Sequence, residues 1–140
     1  EDVSGQIRTE QISMAASDVS AIPAVRAFLL DTQRSLAEKN NVLMDGRDIG
    51  TVILPHAQIK IFLTASPEER ARRRYEELQA RGEAVSYETV LEDVRRRDDQ
   101  DSNRALAPLK PAPDAVLVDT TGCSFEESFE RLKQVIQERL

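Results

Sequence analysis

An α/β fold built on parallel strands is what the sequence predicts, on three observations. Asn41 to Asp45 (NVLMD), Ile59 to Thr64 (IKIFLT) and Ala115 to Asp119 (AVLVD) are short, near-continuously apolar runs, the pattern of parallel strands covered on both faces. The stretches between them carry helical spacing and helix-capping residues. At 140 residues and 40% apolar content the chain is the size of one domain, so the alternation belongs to a single core.

Taken in order, Val3-Ser4-Gly5 and Ile7-Arg8-Thr9 read as short strands, followed by a turn of helix at Met14-Ala15-Ala16-Ser17. Pro23 opens a helix through Lys39 in which Val25, Phe28, Leu29 and Leu36 recur at near-helical spacing. After the first apolar run, His56 beside Pro55 reads as a surface histidine in a loop. Ser66-Pro67-Glu68-Glu69 is a capping box with proline at the first helical position, and Gly82 supplies the stop. Ser86 caps a helix carrying Val90, Leu91 and Val94, which leads into Arg95-Arg96-Arg97-Asp98-Asp99. The proline-rich piece Ala107 to Asp114 is a loop feeding the third run. Ser124-Phe125-Glu126-Glu127 repeats the capping box, with Phe125, Phe129, Leu132 and Ile136 as the buried stripe of the last helix.

The net charge is -6, yet fifteen of the nineteen basic residues are arginine and nine of those lie between Arg70 and Arg104. An acidic chain is a poor general binder of nucleic-acid backbone, whereas clustered guanidinium forks suit phosphate groups held in fixed geometry. Small phosphorylated ligands are therefore the expected partners, and nucleic acid is not; the plainer alternative is that the arginines decorate a solvated helix among Glu and Asp. The single cysteine, Cys123, excludes an internal disulfide and a cysteine metal cluster. No run of 18 apolar residues and no signal-peptide pattern occurs, so no membrane partner and a cytoplasmic location are expected.

Val42-Leu43-Met44-Asp45-Gly46-Arg47-Asp48 is the most informative segment, because it ends an apolar strand in an acid and at once offers a cation and a second acid. Carboxyl ends of parallel strands are where such sheets hold ligands. An aspartate there can orient magnesium or its waters near transferring phosphates, although Asp after an apolar strand is also ordinary turn chemistry. Arg47 and Asp48 could engage a phosphate and a hydrogen-bonding base.

VSGQIRTE at Val3 to Glu10, AAS at Ala15 to Ser17, PAVR at Pro23 to Arg26, DGRDIGTV at Asp45 to Val52, the IKIFLTAS strand and RRRDDQDSNRALAPL together resemble the bacterial cytidylate kinases, in order and over all 140 residues. DGRD with the later R-x-x-x-D-x-x-R spacing separates this family from adenylate and thymidylate kinases. The resemblance implies a P-loop NTPase-type doubly wound parallel sheet with helices on both faces. It implies transfer of a phosphoryl group from ATP, with Mg2+, to CMP or dCMP by a protein that is monomeric when complete. Residues 1–22 would belong to the CMP-binding insert and 23–140 to the core, with an arginine-rich lid at about 66–84. Ser17, Arg26 and Asp48 correspond to the cytosine readers, whose acceptors and donors suit the base's amino group, N3 and O2. Arg47 would hold the monophosphate with Arg104 beside it, Asp45 would be the magnesium-side carboxylate, acting through water since Mg2+ sheds its waters reluctantly, and Arg97 with Asp101 would contact the sugar. Arg70, Arg72, Arg73 and Arg74 resemble the mobile lid; Arg70, Arg73 and Arg74 are the candidates for phosphate contact, and spacing leaves open which of them reach it.

The same resemblance predicts an incomplete fold. The phosphate-cradling G-x-x-x-x-G-K-[ST] does not occur: the glycines are at 5, 46, 50, 82 and 122, and none has the spacing or the following Lys. The family's first, central strand and its P-loop would thus be absent, leaving sheet edges and an apolar face unpaired. The chain alone is expected to be inactive, a piece of a longer kinase or, as the alternative, a non-catalytic remnant that keeps acceptor binding.

Overall fold

The strongest local signals in the chain are its serine caps, and they open three of the helices in the computed structural model, which describes residues 2–4, 7 and 9–140. Helix α1 spans Glu10–Ser20, α2 Pro23–Lys39, α3 Pro67–Ala80, α4 Tyr87–Asn103 and α5 Phe125–Gln137; strands β1 (Ile61–Thr64) and β2 (Val116–Asp119) pair in parallel. Ser86 Oγ accepts from Thr89 N at 3.1 Å at the start of α4, and Ser124 and Glu127 close a complete reciprocal capping box at α5. At α3 the box is only half formed. Ser66 Oγ accepts from Glu69 N at 3.1 Å, but the Glu69 carboxylate turns to Arg72 (2.7 Å) and Arg73 (2.9 Å), and Ser66 N donates to Thr121 Oγ1 at 2.9 Å. Two guanidiniums outbid one backbone amide for a carboxylate, because charge-assisted bonds are about twice as strong as neutral ones.

Gly82 ends α3 as its sequence position suggests. It sits at φ +78°, with its N–H donating to Gln79 O (2.9 Å) and Glu83 N to Leu78 O (3.0 Å), the Schellman arrangement. A Cβ added at Gly82 meets no atom within 4 Å, so only backbone strain opposes substitution. Gly82→Ala is therefore expected to destabilise the fold by about 1 kcal/mol, read as a lower urea midpoint at unchanged slope.

The buried centre lies between α3 and α4, where Ala71, Leu78 and Val90 pack with Tyr75, Val85, Tyr87, Leu91 and Val94 around them. Tyr75 and Tyr87 meet edge to face, ring centroids 6.2 Å apart. The parallel pair aligns Ile61 with Val116 through Thr64 with Asp119, extended by Val116 N to Lys60 O and Thr120 N to Thr64 O. The result is a mixed α/β architecture with a small parallel sheet and helices.

Several expectations are corrected. Asn41 to Asp45 is not a strand: it carries no ladder, since β1 pairs with β2 and no other described strand lies against this segment. Val3, Ser4, Ile7 and Thr9 are not in strands either; Thr9 instead caps α1, a helix of eleven residues rather than a single turn, and Gly5 and Arg8 lie outside the described residues. The apolar stripes of α2 and α5 are not buried. Phe28 is 77% exposed and Phe125 81%, and on the sheet Leu63 and Leu117 are also exposed. Helical spacing identifies an apolar face, but burial requires a full layer against it, and α1 beside α2 and β2 beside α5 cover these stripes only in part. Among the described residues no single helix is long and apolar enough to cross a membrane.

Candidate functional site

Asp48 owes its place to an unusual turn. Residues Ile49–Ile53 form a single π-helical turn, closed by Ile53 N to Asp48 O (3.2 Å) and Leu54 N to Ile49 O (2.7 Å). Such turns insert one extra residue per repeat and recur at functional sites. Gly46 makes room for it: a Cβ there would lie 2.9 Å from the Ile49 side chain. The far end is held from α2, where Arg34 donates from Nε to Ile53 O (3.0 Å) and from Nη2 to Val52 O (2.9 Å).

Around this turn two carboxylates are buried among four guanidiniums. Asp48, 7% exposed, accepts a hydrogen bond from Arg26 Nη2 of α2, while Arg104 Nη2, at the end of α4, faces its other oxygen at 3.4 Å. Asp101 of α4, 4% exposed, accepts from Ser17 Oγ of α1 (2.9 Å) and Arg47 Nε (3.1 Å), with Arg97 Nε 3.8 Å away. Arg26 Nη1 also donates to Ser20 O (3.2 Å), Arg104 Nε to Ala107 O (2.6 Å) and Arg97 Nη1 to Ser13 Oγ (2.5 Å). Gln100 Nε2 donates to Asp18 Oδ1 (2.8 Å), and this bond, with those from Arg97 to Ser13 and from Ser17 to Asp101, laces α1 to α4.

Charge does not balance in this cluster: four arginines (26, 47, 97, 104) face two aspartates (48, 101), an excess of two positive charges. Arg97 Nε and Arg104 Nη2 are buried and make no hydrogen bond among the described residues, each facing a carboxylate oxygen only at ion-pair distance, 3.8 and 3.4 Å. Burial lowers the Arg97 pKa, and the like charge of Arg47 adds to the effect. A buried donor without an acceptor costs about 1–3 kcal/mol, more when charged. The arrangement is therefore suited to a small, doubly charged anion.

All seven residues expected around the acceptor, Ser17, Arg26, Arg47, Asp48, Arg97, Asp101 and Arg104, come together here, although they span 88 positions from Ser17 to Arg104. Arg97 and Asp101 are not an exposed helical pair, because α4 continues through Asn103 and turns Asp101 inward. The arginines expected in a lid divide. Arg70 and Arg73 line a cleft of about 540 Å³ that Asp45, Arg47 and Asp48 also border, whereas Arg74 borders a separate cavity of about 370 Å³ beside Ser13 and Arg97. Arg70 grips Asp98 through both terminal nitrogens (2.8 and 2.5 Å), which raises its pKa. Arg73 donates to Glu69 and to the Thr120 carbonyl (2.7 Å), and Arg72 is spent on Glu69 and Glu76. Asp45 is exposed at the cleft; it is a single oxygen donor group, and among the described residues no group of three or more His, Cys, Asp and Glu is disposed to hold a metal. Neither Arg34 nor Asp98 has a role that the sequence motifs assign. The one available signal for Arg34 was its position eight residues after Arg26, just over two turns along the same helix.

A family model described as cytidylate kinase matches residues 1–138. Among characterised relatives, a cytidylate kinase of Carboxydothermus hydrogenoformans is 53% identical over 135 residues, covering 96% of this chain and 61% of the relative. One from Caldanaerobacter subterraneus is 56% identical over 137 residues, 98% and 61% of the respective lengths, and one from Pasteurella multocida 48% identical over 140 residues, 100% and 62%. The chain thus spans about 61% of the length of the curated relatives it matches.

Proposed function

The chain belongs to the cytidylate kinase family, and on that premise we propose that its arginine-carboxylate cluster is the acceptor site of a nucleoside monophosphate kinase, binding CMP or dCMP for phosphorylation by ATP. The observation that carries this reading is the two-charge excess of guanidinium together with the two buried N–H groups that have no acceptor. A phosphate monoester at neutral pH supplies close to two negative charges and three acceptor oxygens.

The base is read at Ser17, Arg26 and Asp48. Asp48 keeps lone pairs beyond those used by Arg26, enough to accept from the 4-amino group of cytosine, and Arg26 retains N–H groups for N3 and O2. Uracil presents an oxygen where cytosine presents the amino group, so a fixed carboxylate there discriminates between them. Arg47 and Arg104 hold the phosphate, and Arg97 and Asp101 orient the sugar. The cluster's internal bonds, Ser17 and Arg47 to Asp101 above all, hold these groups in place before ligand arrives, which lowers the ordering cost of binding.

Arg70 and Arg73 border the cleft on the donor side and are suited to spreading the charge that develops during transfer; Arg74, on the other cavity, is the least suited of the three. Asp45 fits Mg2+ held mainly by water and nucleotide phosphate, since that ion takes one or two carboxylates and keeps several waters. When bound, Mg2+ neutralises phosphate charge. The nucleotide-cradling loop has no counterpart in these 140 residues, so we place it in the remaining length that the relatives possess, and the exposed apolar faces of β1, β2, α2 and α5 are suited to receive that part.

Isothermal titration of CMP, dCMP, UMP and ATP against the chain tests the reading. CMP and dCMP are expected to bind more tightly than UMP; equal binding of CMP and UMP, or none by either, overturns it. The 140-residue chain is also expected to show no turnover of ATP and CMP, because positioning and charge stabilisation of the donor phosphates have no counterpart here. Enzyme-like rates from a sample free of contaminating kinase would contradict that expectation.

A further inference from the structure

We infer that Arg34 is a positioning residue for base selection, acting on Asp48 through the π-turn; the inference rests on the reading of Asp48 as a cytosine contact. Arg34 makes no hydrogen bond or ion pair with the cluster's side chains among the described residues. Its fork instead donates to the last two carbonyls of the turn, Val52 O at 2.9 Å and Ile53 O at 3.0 Å. Those residues are in turn bonded back to Asp48: Val52 N and Ile53 N both donate to Asp48 O, at 2.9 and 3.2 Å. Asp48 is thus held twice from one rigid helix. Arg26 of α2 grips its carboxylate directly, and Arg34, about 12 Å further along the same helix axis, grips the far end of the turn that carries its backbone.

The turn needs such a hold. A π-turn is a poorly populated geometry with few internal bonds, and its closing carbonyls form a negative helix end that a cation favours. The Asp48 carboxylate must meet an amino group whose direction is set by a base already anchored through its phosphate and sugar. A shift of a few tenths of an ångström costs hydrogen-bond alignment to the base but leaves phosphate binding intact. Arg34 therefore bears on which base is chosen, not on whether a nucleotide is held. Lysine, with one compact ammonium, can serve only part of this fork.

Arg34→Ala and Arg34→Lys are to be compared with the unsubstituted chain by two measurements: amide hydrogen exchange at Ile53 and Leu54, and affinity for CMP and for UMP. In Arg34→Ala both amides are expected to exchange about tenfold faster or more, and the preference for CMP over UMP to fall about tenfold through weaker CMP binding, with UMP binding little changed. Arg34→Lys recovers part of both. Unchanged exchange at the two amides overturns the clamp, and an equal loss for CMP and UMP overturns the role in base selection by showing general damage. An unsubstituted chain blind to the base overturns the reading of Asp48 and with it the selective role, while the exchange data still decide the clamp.

Discussion

Asp101→Ala is expected to lower the efficiency of CMP phosphorylation by tenfold to a hundredfold in a protein of the relatives' full length. The carboxylate accepts from Ser17 and Arg47, faces Arg97 and is only 4% exposed, so solvent reaches these contacts only from the arginine side. A charge-assisted hydrogen bond of this kind contributes about 1.5–3 kcal/mol, and about 1.4 kcal/mol is a factor of ten. An exposed helical pair at the same spacing would contribute only about 0.3–0.5 kcal/mol, and burial is what separates the two cases. Removing the carboxylate also leaves two donors, Ser17 Oγ and Arg47 Nε, without their acceptor and Arg97 without its facing charge, which costs about 1–3 kcal/mol of stability for the buried donor. Asp101→Asn keeps an acceptor for one of the two and should lose efficiency with a smaller loss of stability. Kinetics with CMP beside thermal unfolding of both variants checks this, and unchanged efficiency in a folded Asp101→Ala would leave the residue a purely structural role.

Substitutions at the neighbouring pair should separate base from phosphate. Asp48→Ala is expected to weaken CMP binding and erode the preference over UMP by about 1–3 kcal/mol, because the lost contact carries base identity. Arg47→Ala is expected to reduce turnover of every acceptor alike, because a guanidinium on phosphate is blind to the base. Both residues border the same cleft and stand one position apart, so a general disturbance of the turn would affect them equally. Identical losses across CMP and UMP in the two variants would refute the division of roles. Because Asp48 is also bonded to Arg26 and faced by Arg104, Asp48→Asn is the companion variant that keeps an oxygen in place.

Residues whose partners lie within four positions were legible. Ser86, Ser124, Pro23, Pro67 and Gly82 each act through backbone groups a turn or less away, so their helices begin and end as the sequence predicts. The cluster residues were legible for a different reason: Ser17, Arg26, Asp48 and Asp101 sit in motifs resembling those of a known family, and no local rule would have brought Ser17 to Asp101 across 84 positions. The segment Asn41 to Asp45 reads as a strand by composition yet forms no ladder, because a strand exists only with a partner at its edge. Phe125 and Phe129 mark a face without deciding what covers it.

By itself, then, the sequence determined where α2 to α5 begin, the glycine stop of α3, the two runs that pair as β1 and β2 and the residue types of an anion site, through local backbone bonding and side-chain chemistry. Only the tertiary structure decided that Arg70 and Arg73 share a cleft while Arg74 faces another, that Thr121 rather than Glu69 takes the Ser66 amide, and that Arg34 holds the end of a π-turn beneath Asp48. The physical reason is that a guanidinium reaches several acceptors of similar strength, and which one it takes depends on the distances that long-range packing sets.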